Sequence, residues 1–129
     1  MEAVTVVEAF LRLFEPVPND SIRLAGEITA RIADDRTITR VDQIALRFAM
    51  TTRQIQRLFR EYVGVTPKWV IKRYRLIEAA ERIAAGDVAD FATLALDLGY
   101  ADQAHFIRDF KQIIGRAPAA FARSRRDVT

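Results

Sequence analysis

Arg57-Leu58-Phe59-Arg60-Glu61-Tyr62-Val63-Gly64-Val65-Thr66-Pro67 and Arg108-Asp109-Phe110-Lys111-Gln112-Ile113-Ile114-Gly115-Arg116-Ala117-Pro118 are two copies of one pattern. Arginine, phenylalanine, a second base, glycine and proline each recur 51 positions after their first occurrence. A fixed-period repeat is the first thing that decides an architecture. Upstream of each copy stands a short apolar helix pattern containing an alanine, Ala45 and Ala95, with the register slipped by one residue in the intervening turn. The repeated unit is therefore a short helix, a tight turn, a longer basic helix and a glycine stop. That is the layout of a helix-turn-helix, present twice.

Working outward, the periodicity is helical almost throughout, and no alternating strand pattern stands out. Val4, Val7, Phe10, Leu11 and Phe14 make the apolar face of an N-terminal helix that ends before Glu15-Pro16-Val17-Pro18-Asn19-Asp20. This proline-containing stretch is the clearest boundary in the chain. Ser21 or Asp20 is expected to cap the next helix, with Ile22, Ala25, Ile28 and Ile32 inward and close packing accounting for Gly26. Thr39-x-x-Asp42 resembles a capping box opening a helix that buries Val41, Ile44, Ala45 and Phe48. Thr51-x-x-Gln54 opens the first basic helix, with Ile55, Leu58, Phe59, Tyr62 and Val63 inward.

Thr66-Pro67, a cap followed by proline at the first helical position, starts a long helix that runs to about Ala85 and closes at Gly86. Asp90 caps a short helix over Phe91–Leu98. Asp102 caps the second basic helix, with Phe106, Phe110 and Ile113 inward. Pro118 opens a last short helix before a polar tail at 125–129. The expected fold is all-α: two helix-turn-helix units, about 37–65 and 90–116, bridged by one long helix of about 67–85.

With 129 residues, half of them hydrophobic, the chain has enough material for one compact domain plus an arm. It has no apolar run long enough for a transmembrane helix. Its N-terminus lacks the basic-then-apolar pattern of a secretory signal. Absence of cysteine excludes disulfides, cysteine-ligated zinc and thiol catalysis. The net charge of +3 hides an asymmetry: residues 1–40 carry five basic and seven acidic side chains, residues 41–129 fifteen and ten. The positive excess lies where the repeat lies, as a nucleic-acid surface requires.

In the first basic helix Arg53, Gln56, Arg57 and Arg60 stand at i, i+3, i+4 and i+7, on one face opposite the apolar set. Arginine forks onto guanine and glutamine onto adenine in a major groove. In the second, Gln103, Ala104, His105, Ile107, Arg108 and Lys111 fall on the outer side. Gln103 and Arg108 suit base edges, and Ala104 or Ile107 a thymine methyl. His105, the only histidine, has no companion for metal or catalysis. Asp102 serves as cap, and Asp109 is expected to pair with a neighbouring base.

The linker of nineteen residues is about 28 Å long, near the roughly 34 Å turn of B-DNA, so a rigid helix can hold two reading helices in successive grooves. Lys68, Lys72, Arg73 and Arg75 lie near its start, within reach of phosphate, while Trp69 and Tyr74 are expected in the core. Enzyme signatures are absent: there is no glycine-rich phosphate loop, no metal-ligand cluster and no nucleophile beside a histidine. The alternative reading is a helical protein-interaction module without DNA-binding activity.

The residues resemble the DNA-binding domain of the AraC/XylS family. The matching run is Ile44-Ala45, Gln56-Arg57-Leu58-Phe59-Arg60, Gly64-x-x-Pro67, Arg75-Leu76-x-x-Ala79, Leu94-Ala95, Leu98-Gly99-Tyr100-x-Asp102-Gln103, His105-Phe106-x-Arg108-x-Phe110-Lys111 and Gly115-x-x-Pro118. It covers roughly 21–124 and implies seven helices of homeodomain-like architecture. It also implies promoter binding by a cytoplasmic, nucleoid-associated regulator that contacts RNA polymerase, mostly as an activator, with no cofactor.

Carried over by position, base reading falls on Arg53, Gln56 and Arg57, and on Gln103, Ala104, His105 and Arg108. Ala104 stands where a polar residue is often found. The phosphate set is Thr51, Arg60, Lys68, Lys72, Arg73 and Lys111. DNA-repair relatives use a cysteine methyl acceptor, an activity that a chain without cysteine lacks. Most members carry a separate effector-binding or dimerisation domain, usually N-terminal. Residues 1–20 occupy that place and read as an arm or linker from a missing domain, which favours a fragment over a stand-alone short member.

Overall fold

The computed structural model describes residues 19–128, all of whose regular elements are helices. In chain order they are α1 (Asn19–Asp34), α2 (Val41–Arg47), α3 (Thr52–Tyr62), α4 (Pro67–Ala85), α5 (Phe91–Asp97), α6 (Gln103–Ile114) and α7 (Pro118–Val128). The expected N-terminal helix over Val4–Phe14 lies outside the described residues. α1 begins at Asn19, ahead of both expected caps, and α7 continues through Val128, into the stretch read as a tail.

Two separate hydrophobic cores hang on α4. The first joins Ala25, Ile28 and Ile32 of α1 to Ile44, Ile55 and Phe59, with Val70 and Ile71 from the front of α4. The second joins Leu76, Ala79 and Ile83 from the back of α4 to Leu94, Ala95, Phe106 and Phe110, with Phe121 of α7 against them. Ala25, Ile28 and Ile32 precede Leu76, Ala79 and Ile83 by the same 51 positions as the repeat. The back of α4 is therefore the first helix of the second unit, as α1 is of the first. The long helix bridges the two units as expected and also completes the core of each.

Local chemistry sets the helix ends. Thr51 and Gln54 form the expected reciprocal box: Gln54 N–H donates to Thr51 Oγ1 at 3.0 Å, and Thr51 N–H to Gln54 Oε1 at 2.9 Å. The expected Thr39–Asp42 box is replaced. Gln43 Oε1 accepts the N–H groups of Thr39 and Arg40, both at 2.8 Å, making Arg40 the N-cap, while Asp42 pairs with the Arg40 side chain. A glutamine reaches back three and four residues, which the shorter aspartate cannot.

Both helix-turn-helix turns close alike. Met50 N–H donates to Ala45 O and Tyr100 N–H to Ala95 O, each at 3.0 Å, around a residue of positive φ. That residue is Gly99 (φ 88°) in the second turn but Ala49 (φ 53°) in the first. Gly26 is exposed with nothing within 4 Å of a Cβ placed there, so close packing does not explain it. Ile22 is likewise 50% exposed, not inward. It sits one turn before Ala25, where α1 runs past the end of the first core.

Candidate nucleic-acid interface

The side chains expected to read bases stand on the outer faces of α3 and α6. Ile55, Leu58 and Phe59 bury the inner face of α3, which forces Arg53, Gln56, Arg57 and Arg60 outward into solvent. Arg53, Gln56 and Arg60 make no hydrogen bond or ion pair among the described residues. Arg57 is held by Glu61 one turn on, with Nε 3.3 Å from Oε1. The pair is exposed, so it is weak and exchangeable. In effect the first unit presents four uncommitted or loosely committed polar groups.

α6 is arranged differently. Asp102 caps it as expected, accepting His105 N–H at 2.8 Å. Gln103, Ala104, His105, Arg108 and Lys111 are all exposed. Ile107 is not: it is half-buried against the second core, which removes it as a thymine-methyl contact. His105 has a protein partner, its Nε2 lying 3.3 Å from Asp109 Oδ2, and its ring meets Tyr100 edge-on at 5.2 Å.

Asp109, 7% exposed, accepts a hydrogen bond from Tyr100 OH on that same oxygen at 3.0 Å and pairs there with Lys72 Nζ of α4 at 3.2 Å. Burial, then the hydrogen bond to the Asp109 carboxylate, push the Tyr100 phenol well above its ordinary range, so it stays a donor. The expected pairing of Asp109 with a base is met by Lys72 from another helix. Lys72 thereby drops out of the phosphate set.

Two further assignments change. Arg75 is 1% exposed and faces the first unit, donating to the carbonyls of Ile32, Asp35 and Ile38 and pairing with Glu78 at 3.0 Å. It ties α4 to the end of α1 and cannot reach phosphate. Desolvation holds the Glu78 carboxyl above its usual range in spite of Arg75. Trp69, expected in the core, is 42% exposed, with the Arg73 guanidinium 5.7 Å from its ring centroid. Tyr74 does pack on the first core.

Lys68 and Arg73 remain exposed at the front of α4. Thr51 is exposed too, its hydroxyl oxygen already accepting the cap hydrogen bond from Gln54. Among the described residues no group of histidine, aspartate and glutamate could hold a metal, and no helix is long and apolar enough to cross a membrane.

Sequence reasoning expected Asp109 to pair with a base but missed that its partners would include Tyr100 and His105. The spacing of four between His105 and Asp109 was a visible signal. Lys72 and Tyr100 joining the same oxygen was not visible, because both approach from outside α6.

Residues 44–124 match the family model described as a helix-turn-helix domain. The chain is 32% identical over 75 residues to the HTH-type transcriptional activator RhaS of Pectobacterium carotovorum subsp. carotovorum (strain PC1), covering 58% of this chain and 26% of that protein. It is 32% identical over 82 residues to the "Probable transcription factor PqrA" of Proteus vulgaris, covering 64% of this chain and 66% of that one. The match thus spans about a quarter of the first relative and under two thirds of the second. Among solved structures, the C-terminal domain of AraT, a response regulator from Geobacillus stearothermophilus, superposes with a TM-score of 0.61 at 19% identity, covering 81% of this chain and 84% of that one. That likeness concerns the fold.

Proposed function

The chain belongs to the AraC/XylS family of helix-turn-helix, DNA-binding transcriptional regulators, and from that premise we propose that α3 and α6 read two successive major grooves of promoter DNA. The observation that carries this reading is that both copies of one scaffold turn a pair of basic side chains outward at matching places, Arg57 and Arg60 on α3 and Arg108 and Lys111 on α6, with Arg53 and Gln56, or Gln103 and His105, exposed beside them. The apolar face of each reading helix is fully consumed by its own core.

Arg53, Gln56 and Arg57 read the first groove. Gln103, Ala104, His105 and Arg108 read the second. Thr51, Arg60, Lys68, Arg73 and Lys111 meet phosphates and supply most of the affinity, while the base contacts supply the preference. The regulator acts as an activator that contacts RNA polymerase, in the cytoplasm at the nucleoid. Residues 1–20 join it to an effector-binding or dimerisation domain.

Selection of bound sequences from a random duplex library tests the architecture. A single chain should recover two half-sites about one helical turn, roughly 10 base pairs, apart. Binding should fall log-linearly with salt, with a slope reflecting several displaced counterions. Recovery of one half-site alone, or binding insensitive to salt, would refute the reading.

A further inference from the structure

Two recognition helices in successive grooves work as one reader only if the angle between them is fixed. On the first side the fixing is evident. Arg75 of α4 binds the carbonyl of Ile32 at the end of α1 and those of Asp35 and Ile38 just beyond it, and Val70 and Ile71 of α4 complete the first core. On the second side, the core formed by Leu76, Ala79 and Ile83 holds α6 by apolar contact, which is non-directional and leaves rotation about the packed face cheap.

The directional element is Asp109. It projects from the flank of α6 between the reading face and the core, and its Oδ2 accepts a hydrogen bond from Tyr100 OH of the helix-turn-helix turn at 3.0 Å while forming ion pairs with Lys72 Nζ of α4 at 3.2 Å and with His105 Nε2 of α6 itself at 3.3 Å. Removing one partner of a largely buried ion pair leaves an uncompensated charge, so the Lys72–Asp109 contact resists separation of α6 from α4. Beside them the two units touch backbone to side chain, since a Cβ on Gly99 would lie 3.1 Å from Thr39 Cβ. Thr39, Lys72, Gly99, Tyr100, His105 and Asp109 line one cleft of about 260 Å³ between the units.

We infer that Asp109 is a positioning residue. It latches the second reading helix to the linker helix through Lys72 and to its own turn through Tyr100, sets the angle between the two reading helices and, through His105, fixes one base-reading side chain in the same network. Its effect on DNA rests on the two-groove reading above. Loss of the latch leaves the reading face of α3 intact, releases only His105 on that of α6, and frees their mutual orientation. The signature is therefore tolerance of altered half-site spacing, not loss of half-site recognition.

Two arms test it. The chain contains no cysteine, so Gln56→Cys and Gln112→Cys on α3 and α6 take spin labels alone, and the distance distribution between them is read without DNA. Asp109→Asn and Lys72→Met are each expected to widen that distribution about twofold, and the double variant to widen it no further, since the two groups form one interaction. Tyr100→Phe gives a smaller widening and keeps the test open if Asp109→Asn fails to fold by circular dichroism.

In the second arm, one base pair is inserted between selected half-sites. The parent should lose about tenfold in affinity, the latch variants under about threefold, with single half-site affinities within about twofold of the parent. An unchanged label distribution in Asp109→Asn or Tyr100→Phe would overturn the latch, as would variants that keep the parent's spacing penalty. A parent that binds no duplex would overturn the DNA reading instead, while the label distances still decide the latch.

Discussion

The two helix-turn-helix units share a scaffold and differ in how far their reading faces are committed to the protein. α3 carries Arg53, Gln56 and Arg60 without partners among the described residues, plus Arg57 in an exposed pair with Glu61. α6 carries an alanine in its first turn, and its histidine is engaged by Asp109, which is itself engaged by Lys72 and Tyr100. An uncommitted polar face is available to bases at little cost, whereas a face knitted into the linker contributes through its placement. The two halves of the duplication thus differ in how many of their outward polar groups are tied to the rest of the protein.

The most forceful way to break the comparison is to remove the anchors that both halves share. Phe59 and Phe110, both fully buried, occupy matching places in the two cores. Alanine at either should cost about 3–5 kcal/mol. If the cores are separate, native-state hydrogen exchange should show Phe59→Ala unprotecting α1–α3 more than α5–α6, and Phe110→Ala the reverse. Equal loss everywhere would mean a single cooperative core.

DNA binding sharpens the comparison next. Arg57→Ala should cost about 1–3 kcal/mol on a selected site and relax preference at one position, as for a bidentate base contact. Lys111→Ala should weaken all duplexes alike and lower the salt slope by about one counterion. Mobility shifts on specific and scrambled duplexes distinguish the two patterns. Uniform loss from Arg57→Ala would make Arg57 a phosphate contact.

A smaller effect separates the two turns. Gly99→Ala places a Cβ at positive φ against Thr39 and should destabilise by about 1–2 kcal/mol. Ala49→Gly relieves the same strain in the first turn. Set against glycine's larger unfolded-chain entropy of roughly 0.5–1 kcal/mol, this leaves a gain of about 0.5 kcal/mol by thermal melt.

The smallest contrast lies in acid. Asp35, in the first unit, is held below the usual carboxylate range by hydrogen bonds from Thr37 and then by Arg47. Asp90, the α5 cap, is lowered by the Thr93 N–H and hydroxyl. A depressed folded-state value means stability that is complete above the unfolded value of about 4 and lost as pH falls through the folded one. Asp90→Asn should flatten that part of the melting profile on the low-pH side, and a profile unchanged from the parent would remove Asp90 from it.

Much of this was legible because it is periodic or local. The spacing of Ile55, Leu58 and Phe59, and of Phe106 and Phe110, specified which faces turn inward. Thr51, Thr66, Asp90 and Asp102 announced four helix starts through hydrogen bonds spanning three residues. The Thr39–Asp42 box gave way to one made by Gln43 because Asp42 and Gln43 are adjacent and only side-chain length separates them.

The sequence by itself determined the duplicated helix-turn-helix, the nineteen-residue helix and the polar faces of α3 and α6. These follow from helix periodicity, caps and a 51-residue register, all properties of neighbouring residues. The tertiary structure decided the fate of the charged side chains. Arg75, which looked like a phosphate contact, is buried against carbonyls up to 43 positions away, and Lys72 reaches Asp109 37 positions further on. Long flexible side chains carry no periodic signature, so only packing determines whether a cation faces DNA or holds two helices together.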